Sequence, residues 1–305
     1  MGESSGISLA IATAVVSGVS IFLNKFAVGG TNPFVFTALK NVFVAVFLLS
    51  AIFLLFEFKK LKELTKKQWG QLALVGLVGG SVPFLLFFYA LKLTSAVNAG
   101  FLQKTLFIWA IVFAGFFLKE KYSKKFLAGA ALLLVGNFAL FSKFSSFGFA
   151  DALILIAAIL WGAENVLSKH VLKETHGRIV AFGRMFFGSL FMLAFLAATG
   201  QITEIGQLNF SQLSWVLVTS ALLFLYVLFY YTGLKYVRVG VAAALLSLGQ
   251  PITAILSLVF SGTPVSASDA LGFVLIIFGA AIIAGFGYFV SVGKTAAKFF
   301  ATGNK

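Results

Sequence analysis

The stretch Trp161–Arg184, WGAENVLSKHVLKETHGRIVAFGR, decides how the chain is to be read. It sets Glu164, Lys169 and Arg184 in and between two segments otherwise apolar enough to cross a bilayer. A fainter copy lies 144 residues earlier, from Ser17 to Lys40, pairing Gly18 with Gly162, Lys25 with Lys169 and Lys40 with Arg184. Downstream the match continues at an offset of 143, with Leu91-Lys92 against Leu234-Lys235, Gly129 against Gly272 and Gly136 against Gly279. Agreement at nearly one spacing, with two basic pairs inside apolar segments, points to an internal duplication.

Working outward, the 305 residues are 60% hydrophobic and 10% charged, with a mean hydropathy of +1.04. A soluble domain carries roughly a quarter charged residues, so one water-soluble core cannot hide this much apolar surface. The expected class is an all-α polytopic membrane protein. Ten apolar segments run over about 7–28, 33–56, 69–91, 96–118, 126–142, 150–169, 179–199, 213–234, 239–260 and 269–290. Cysteine is absent, which removes disulfides and thiolate sites, and the two histidines are too few for a metal centre. No cofactor and no metal are expected. The start, MGESSG, has no basic residue before its apolar run, so it reads as a retained first helix rather than a signal peptide or a lipidation site.

The net charge of +14 has a topological explanation rather than nucleic acid. Of the basic residues, 17 lie beyond the even-numbered helices and in the tail: Lys59 to Lys67, Lys119 to Lys125, Lys169 to Arg178, Lys235 with Arg238, then Lys294, Lys298 and Lys305. The other side has only Lys92 and Lys143 in its turns. The positive-inside rule then places both termini in the cytoplasm of a multi-pass plasma (cytoplasmic) membrane protein. Two halves, 1–145 and 146–305, each of five helices, must therefore have opposite orientations. Inverted repeats of this kind bind substrate near the midplane between the halves.

These residues resemble the drug/metabolite transporter superfamily in its EamA-like branch. The run WG-x-x-x-V-x-x-K at Trp161–Lys169 is similar to its first-helix signature, as is Arg184 in the following helix. LKEKYSKKFLAGAALLLVG at Leu118–Gly136 resembles its Glu-basic turn and Gly-spaced fifth helix, and Gln250-Pro251 its fourth-helix proline. Departures are Ser17 for the tryptophan and Ile108 for the proline in the first copy, and Thr263 for the Glu120 equivalent in the second. The resemblance implies a metabolite or drug carrier, often an exporter, working by alternating access. Its cavity would be lined by helices 1, 3, 4, 6, 8 and 9, with 5 and 10 peripheral.

A charge at the centre of a spanning helix costs roughly 2.5–3.5 kcal/mol, so such residues usually face a cavity or a partner. Lys40, Lys104 and Arg184 lie a turn or more inside and are expected in a wet cavity or a buried pair. Lys25 and Lys169, nearer the ends, can snorkel. Glu164 is the acid clearly inside; it either pairs with Arg184 or Lys169, or takes up a proton and couples transport to its gradient. With bases in excess, the expected substrate carries a carboxylate or phosphate. Gln103, Asn98, Tyr89, Asn165, Tyr230 and Gln250 are candidate hydrogen-bonding groups, and Trp109 and Trp161 candidate apolar walls. Each of these also has an ordinary role open to it, interhelical bonding or interfacial anchoring. Gly79, Gly80 and Pro83, with Gly249 and Pro251, mark hinges or close packing.

The expected function is therefore secondary transport of a small metabolite, such as an amino acid or organic acid, or of a drug. The expected partners are that substrate and the lipid bilayer, not nucleic acid, with the chain a monomer or homodimer. A membrane-embedded enzyme is the rival, but it would need paired acids or a His/Asp cluster. A channel would need a filter motif, and an ATP-driven pump a Walker A motif.

Overall fold

In hydrocarbon a backbone must bond to itself, and the apolar segments do so as helices. The computed structural model describes residues 2–139 and 147–285. Its spanning helices are α1 (Glu3–Gly29), α2 (Pro33–Leu54), α3 (Lys66–Leu93), α4 (Ala96–Phe117), α5 (Lys124–Ala139), α6 (Phe149–Val171), α7 (Gly177–Ala198), α8 (Phe210–Leu234), α9 (Val239–Ser261) and α10 (Ala267–Ala284). Two short elements had no signal in the apolar pattern: a helical turn at Phe58–Lys62 and a 3-10 segment at Gln201–Gln207. Lys143, Lys294, Lys298 and Lys305 lie outside the described residues, as do 140–142 and 286–290 of the fifth and tenth segments.

The two halves interlace. α1 packs on α8 and α9, α6 on α3 and α4, α2 on α7, and α5 on α10. The repeated glycines explain the first crossings. A Cβ on Gly18 would come within 2.8 Å of Ile252 Cβ on α9, and one on Gly162 within 2.6 Å of Trp109 Cβ on α4. Trp109 and Ile252 are themselves 143 residues apart, so the same crossing is built twice. α5 and α10 lie at the edge and show Phe138, Leu271 and Phe278 to the outside.

The basic pair Lys25 and Lys169 has a shared task that neither snorkelling nor a cavity role anticipates. Lys25 Nζ donates to the carbonyls of Leu91 (2.9 Å) and Lys92 (3.2 Å) at the end of α3. Lys169 Nζ donates to Leu234 (2.7 Å), Lys235 (3.2 Å) and Val237 (2.7 Å) at the end of α8. The last carbonyls of a helix lack partners and carry its negative dipole end, so an ammonium there satisfies both needs. One lysine does this at each face of the bundle, as inversion requires.

Three irregularities interrupt the spanning helices near their middles. α4 breaks at Thr105 and α9 passes through a 3-10 turn at Leu246–Leu248, equivalent places in the two halves. α3 contains a π-helical segment at Gly76–Ser81, whereas α8 is regular throughout. The capping boxes that start α3 and α8, Thr65/Gln68 and Asn209/Gln212, are 144 residues apart, yet the capped ends Leu91 and Leu234 are 143 apart. One extra residue therefore lies inside α3, and a π-bulge is how a helix absorbs an insertion without moving its ends.

At the basic face Glu57 receives Arg178 (2.5 and 2.7 Å) and Lys60 (2.6 Å), tying the end of α2 to the start of α7. Glu120, in the α4–α5 turn, accepts from the amides of Val239 (2.8 Å) and Gly240 (3.4 Å) and so caps α9. At the opposite face Asn32 donates to Gln201 (2.8 Å) and Glu204 (2.9 Å).

Candidate functional site

The interlaced helices leave a cavity of about 60 Å³, its wall mostly apolar with a few charged and polar groups. Among the sequence candidates, Lys40, Gln103 and Trp161 line it, together with Glu164, Asn165, Arg184 and Tyr230. Its lining comes from α1, α3, α4, α6, α8 and α9, and also from α2 and α7, which supply Lys40 and Arg184.

Two half-sites related by the repeat face this space. In the first, Asn24 Nδ2 donates to Ser20 Oγ (3.0 Å), and Lys40 Nζ donates to Asn24 Oδ1 (2.8 Å). In the second, the equivalent pair on α6 is Ser168 and Glu164, with Ser168 Oγ donating to Glu164 Oε1. Tyr231 also donates to that oxygen (2.6 Å), and Arg184 Nε stands 4.0 Å from Oε2. The helical spacing of four residues makes both pairs, since i and i+4 share a face. Only the second half-site contains an acid.

The π-bulge delivers the backbone to this cluster. Gly79 O accepts from both Trp161 Nε1 (3.0 Å) and Arg184 Nη2 (2.9 Å), and Gly80 O accepts from Asn41 Nδ2 (2.6 Å). Any Cβ on Gly79 would collide with the Glu164 side chain. Gly79 and Gly80 thus allow close approach at the bulge, with Pro83 at the start of the α-helical turns that follow it. Gly249 lies against Ala14 O and Gly18 N of α1, and Pro251 sits in the first turn beyond the α9 break.

Lys104 is also fully buried but stands behind the cavity, at the α4 break. Its Nζ donates to Ser17 Oγ (2.7 Å) and Gln103 Oε1 (3.2 Å). Four other candidates belong to interhelical contacts instead of the cavity wall. Tyr89 stacks on Phe34, with centroids 5.4 Å apart; Asn98 donates to Asp151 (2.8 Å); Trp109 fills the α4–α6 crossing; and Gln250 Nε2 donates to Val97 O (2.9 Å). Each sits where two helices meet closely, although Trp109 Nε1 and Gln250 Oε1 have no hydrogen-bond partner among the described residues.

Sequence reasoning noted Ser20 only as the residue in Glu164's place in the first half, and passed over Asn24, Tyr226, Tyr231 and the Phe84, Phe87, Phe88 wall. Asn24 and Ser20 had a usable signal, because they stand 144 residues before Ser168 and Glu164. The three phenylalanines had none among the chain's 38.

The electrostatic balance is uneven: Lys40, Arg184 and the adjacent Lys104 against Glu164, all at most 4% exposed. Neither Lys40 nor Lys104 has a carboxylate within ion-pair distance among the described residues. Lys40 also lies over the Phe88 ring (4.9 Å) and Arg184 over Phe84 (5.2 Å), where the ring faces are electron-rich. No group of three His, Cys, Asp or Glu is placed to hold a metal among the described residues.

Comparison with known proteins gives a consistent set of likenesses. The model of the EamA-like transporter family matches residues 4–142 and 148–285. An uncharacterized transporter of Clostridium kluyveri is 27% identical over 277 residues, covering 83% of this chain and 84% of that one. The uncharacterized transporter YetK of Bacillus subtilis is 29% identical over 267 residues (82% and 77%). The riboflavin transporter ImpX of Fusobacterium nucleatum is 28% identical over 212 residues (64% and 69%). A solved crystal structure, 19% identical, shares the fold with a TM-score of 0.75 over 92% of this chain and 96% of its own.

Proposed function

This chain belongs to the EamA-like transporter family, and on that premise we propose that it is a secondary carrier, not an enzyme, which moves a small anionic metabolite across the cytoplasmic membrane by alternating access. The observation that carries the substrate charge is the excess of buried cations around the cavity, three against one acid. A cation costs least in hydrocarbon when an anion meets it, and a carboxylate or phosphate oxygen can accept from Lys40 and Arg184 together. Lys104 adds its field from behind.

Because the two halves interlace, the moving bodies are groups of helices drawn from both. α4 and α9, broken at equivalent places, bend where they cross α6 and α1. Both termini lie in the cytoplasm, and the working direction is export. Glu164 is the candidate for proton coupling, because the other half-site has Ser20 in its place. A relative named a riboflavin transporter supports an organic solute in general.

Flux into proteoliposomes tests the carrier itself. Uptake of an anionic substrate should saturate and should accelerate when the same substrate is loaded on the opposite side. Flux that never saturates would mark a channel, and neutral or cationic analogues competing as well as anions would overturn the anionic substrate.

A further inference from the structure

We infer that the substrate is a flat aromatic ring bearing a carboxylate and no ammonium group. The inference rests on the cavity being the anion-binding transport site and adds the shape and the hydrogen-bonding sense of what binds.

Shape follows from the walls. Phe84 and Phe87 stand edge-on to Trp161, with centroids 5.6 and 5.4 Å away. From α8, Tyr226 and Tyr230 stack at 5.8 Å with planes 20° apart. Aromatic surfaces from three helices thus converge on one small space, and rings offer such surfaces both edge-to-face and offset contact. The free volume, about 60 Å³, is smaller than the roughly 150 Å³ in which a buried apolar cavity takes benzene. Ring entry therefore requires the walls to part.

Hydrogen-bonding sense follows from which polar atoms the protein has already used. Asn24 Oδ1 is taken by Lys40, and Gln103 Oε1 by Lys104. Because lysine is donor-only, these contacts also fix which way each amide points. Gly79 O has two donors, and Glu164 Oε1 is held by Ser168 and Tyr231. Left over are donors: the remaining protons on Lys40, the Gln103 amide nitrogen and the Tyr226 hydroxyl have no other hydrogen-bond partner among the described residues, while Arg184 Nε is turned to Glu164 Oε2. Glu164 Oε2 makes no hydrogen bond among the described residues and stands 4.0 Å from Arg184 Nε. A carboxylate meets these donors, whereas an ammonium group would face Lys40 and Arg184.

Binding of four small probes to purified full-length protein decides the matter. Benzoate should bind at least tenfold more tightly than cyclohexanecarboxylate, and phenylalanine and benzylamine more weakly than either. Equal affinity for benzoate and cyclohexanecarboxylate would overturn the aromatic claim while leaving the anion site intact. Benzylamine binding as tightly as benzoate would overturn the anion site itself, and phenylalanine matching benzoate would overturn the exclusion of an amine. Binding by none of the four would overturn the proposal. Tyr226 makes no hydrogen bond within the described protein, so Tyr226→Leu should fold. It should reduce the preference for benzoate over cyclohexanecarboxylate severalfold, and Tyr226→Phe should keep it; an unchanged preference in Tyr226→Leu would also count against the ring.

Discussion

At the residue scale, side chains of like charge do unlike work. Lys25 and Lys169 complete helix ends, whereas Lys40 and Arg184 face the cavity. Lys169→Met should cost about 1–2 kcal/mol, the worth of a charge-assisted cap, and lower the melting temperature without changing substrate affinity. Lys25→Met should do the same more mildly, since it serves two carbonyls rather than three. Lost affinity with unchanged melting would show that these lysines touch substrate after all. Glu164→Gln keeps an acceptor for Ser168 and Tyr231 but removes the charge, so binding should persist while transport driven by a pH gradient ceases. Gradient dependence like that of the parent protein would sink the coupling role. Glu57, at the basic face, has its carboxyl held down to about 2 from an ordinary 4.5, chiefly by hydrogen bonding to Arg178 and against the opposing effect of burial. A carboxyl depressed on folding stabilises fully above its unfolded value and loses that contribution as pH falls through its folded one. Glu57→Gln should therefore lower the melting temperature at pH 7, and its deficit should shrink between pH 4.5 and 2; a deficit independent of pH would mean the ion pair adds nothing.

At the element scale, the informative object is α3. Its length, apolar character and even its glycines were legible in the sequence, but the π-bulge at Gly76–Ser81 was not. Hydropathy reports which residues avoid water and is blind to whether a carbonyl bonds four or five residues on. The drop from 144 to 143 between the repeats was visible, yet it acquires meaning only when the capping boxes show that both helices start in register. Deleting Val78 should convert α3 into a regular helix with its ends in place. The protein should stay folded but lose transport, because Gly79 O would no longer meet Trp161 and Arg184. Deleting Leu222, the counterpart in regular α8, should instead rotate one end against the other and be strongly destabilising. Similar loss of melting temperature in both deletions would refute the insertion. The candidates Tyr89, Asn98, Trp109 and Gln250 stand outside the cavity lining for a related reason: residue type says that a side chain needs a partner, not which neighbouring helix provides it.

At the scale of the whole molecule, duplication made the architecture readable and inversion made the site readable. Each half is incomplete, since α1 crosses α9 and α6 crosses α4, and neither crossing exists until both halves are present. Inversion also turns a local repeat into a pair of half-sites approached from opposite faces. That geometry requires a definite orientation, and the bundle has one marked face: the turns after α2, α4, α6 and α8 carry Lys59 to Lys67, Lys119 to Lys125, Lys173 and Lys235 with Arg238. Such residues near the ends of spanning helices hold a face in the cytoplasm, while acidic residues contribute little to the choice. Because the chain has no cysteine, one introduced thiol reports its own side without background. Lys66, the first residue of α3, and Thr203, in the α7–α8 connection, are both exposed. In intact cells a membrane-impermeant maleimide should label Thr203→Cys, and should label Lys66→Cys only after permeabilisation. The reverse pattern would turn the whole carrier over, exchanging the half-site with Glu164 for the one with Lys40 as the one nearer the cytoplasm.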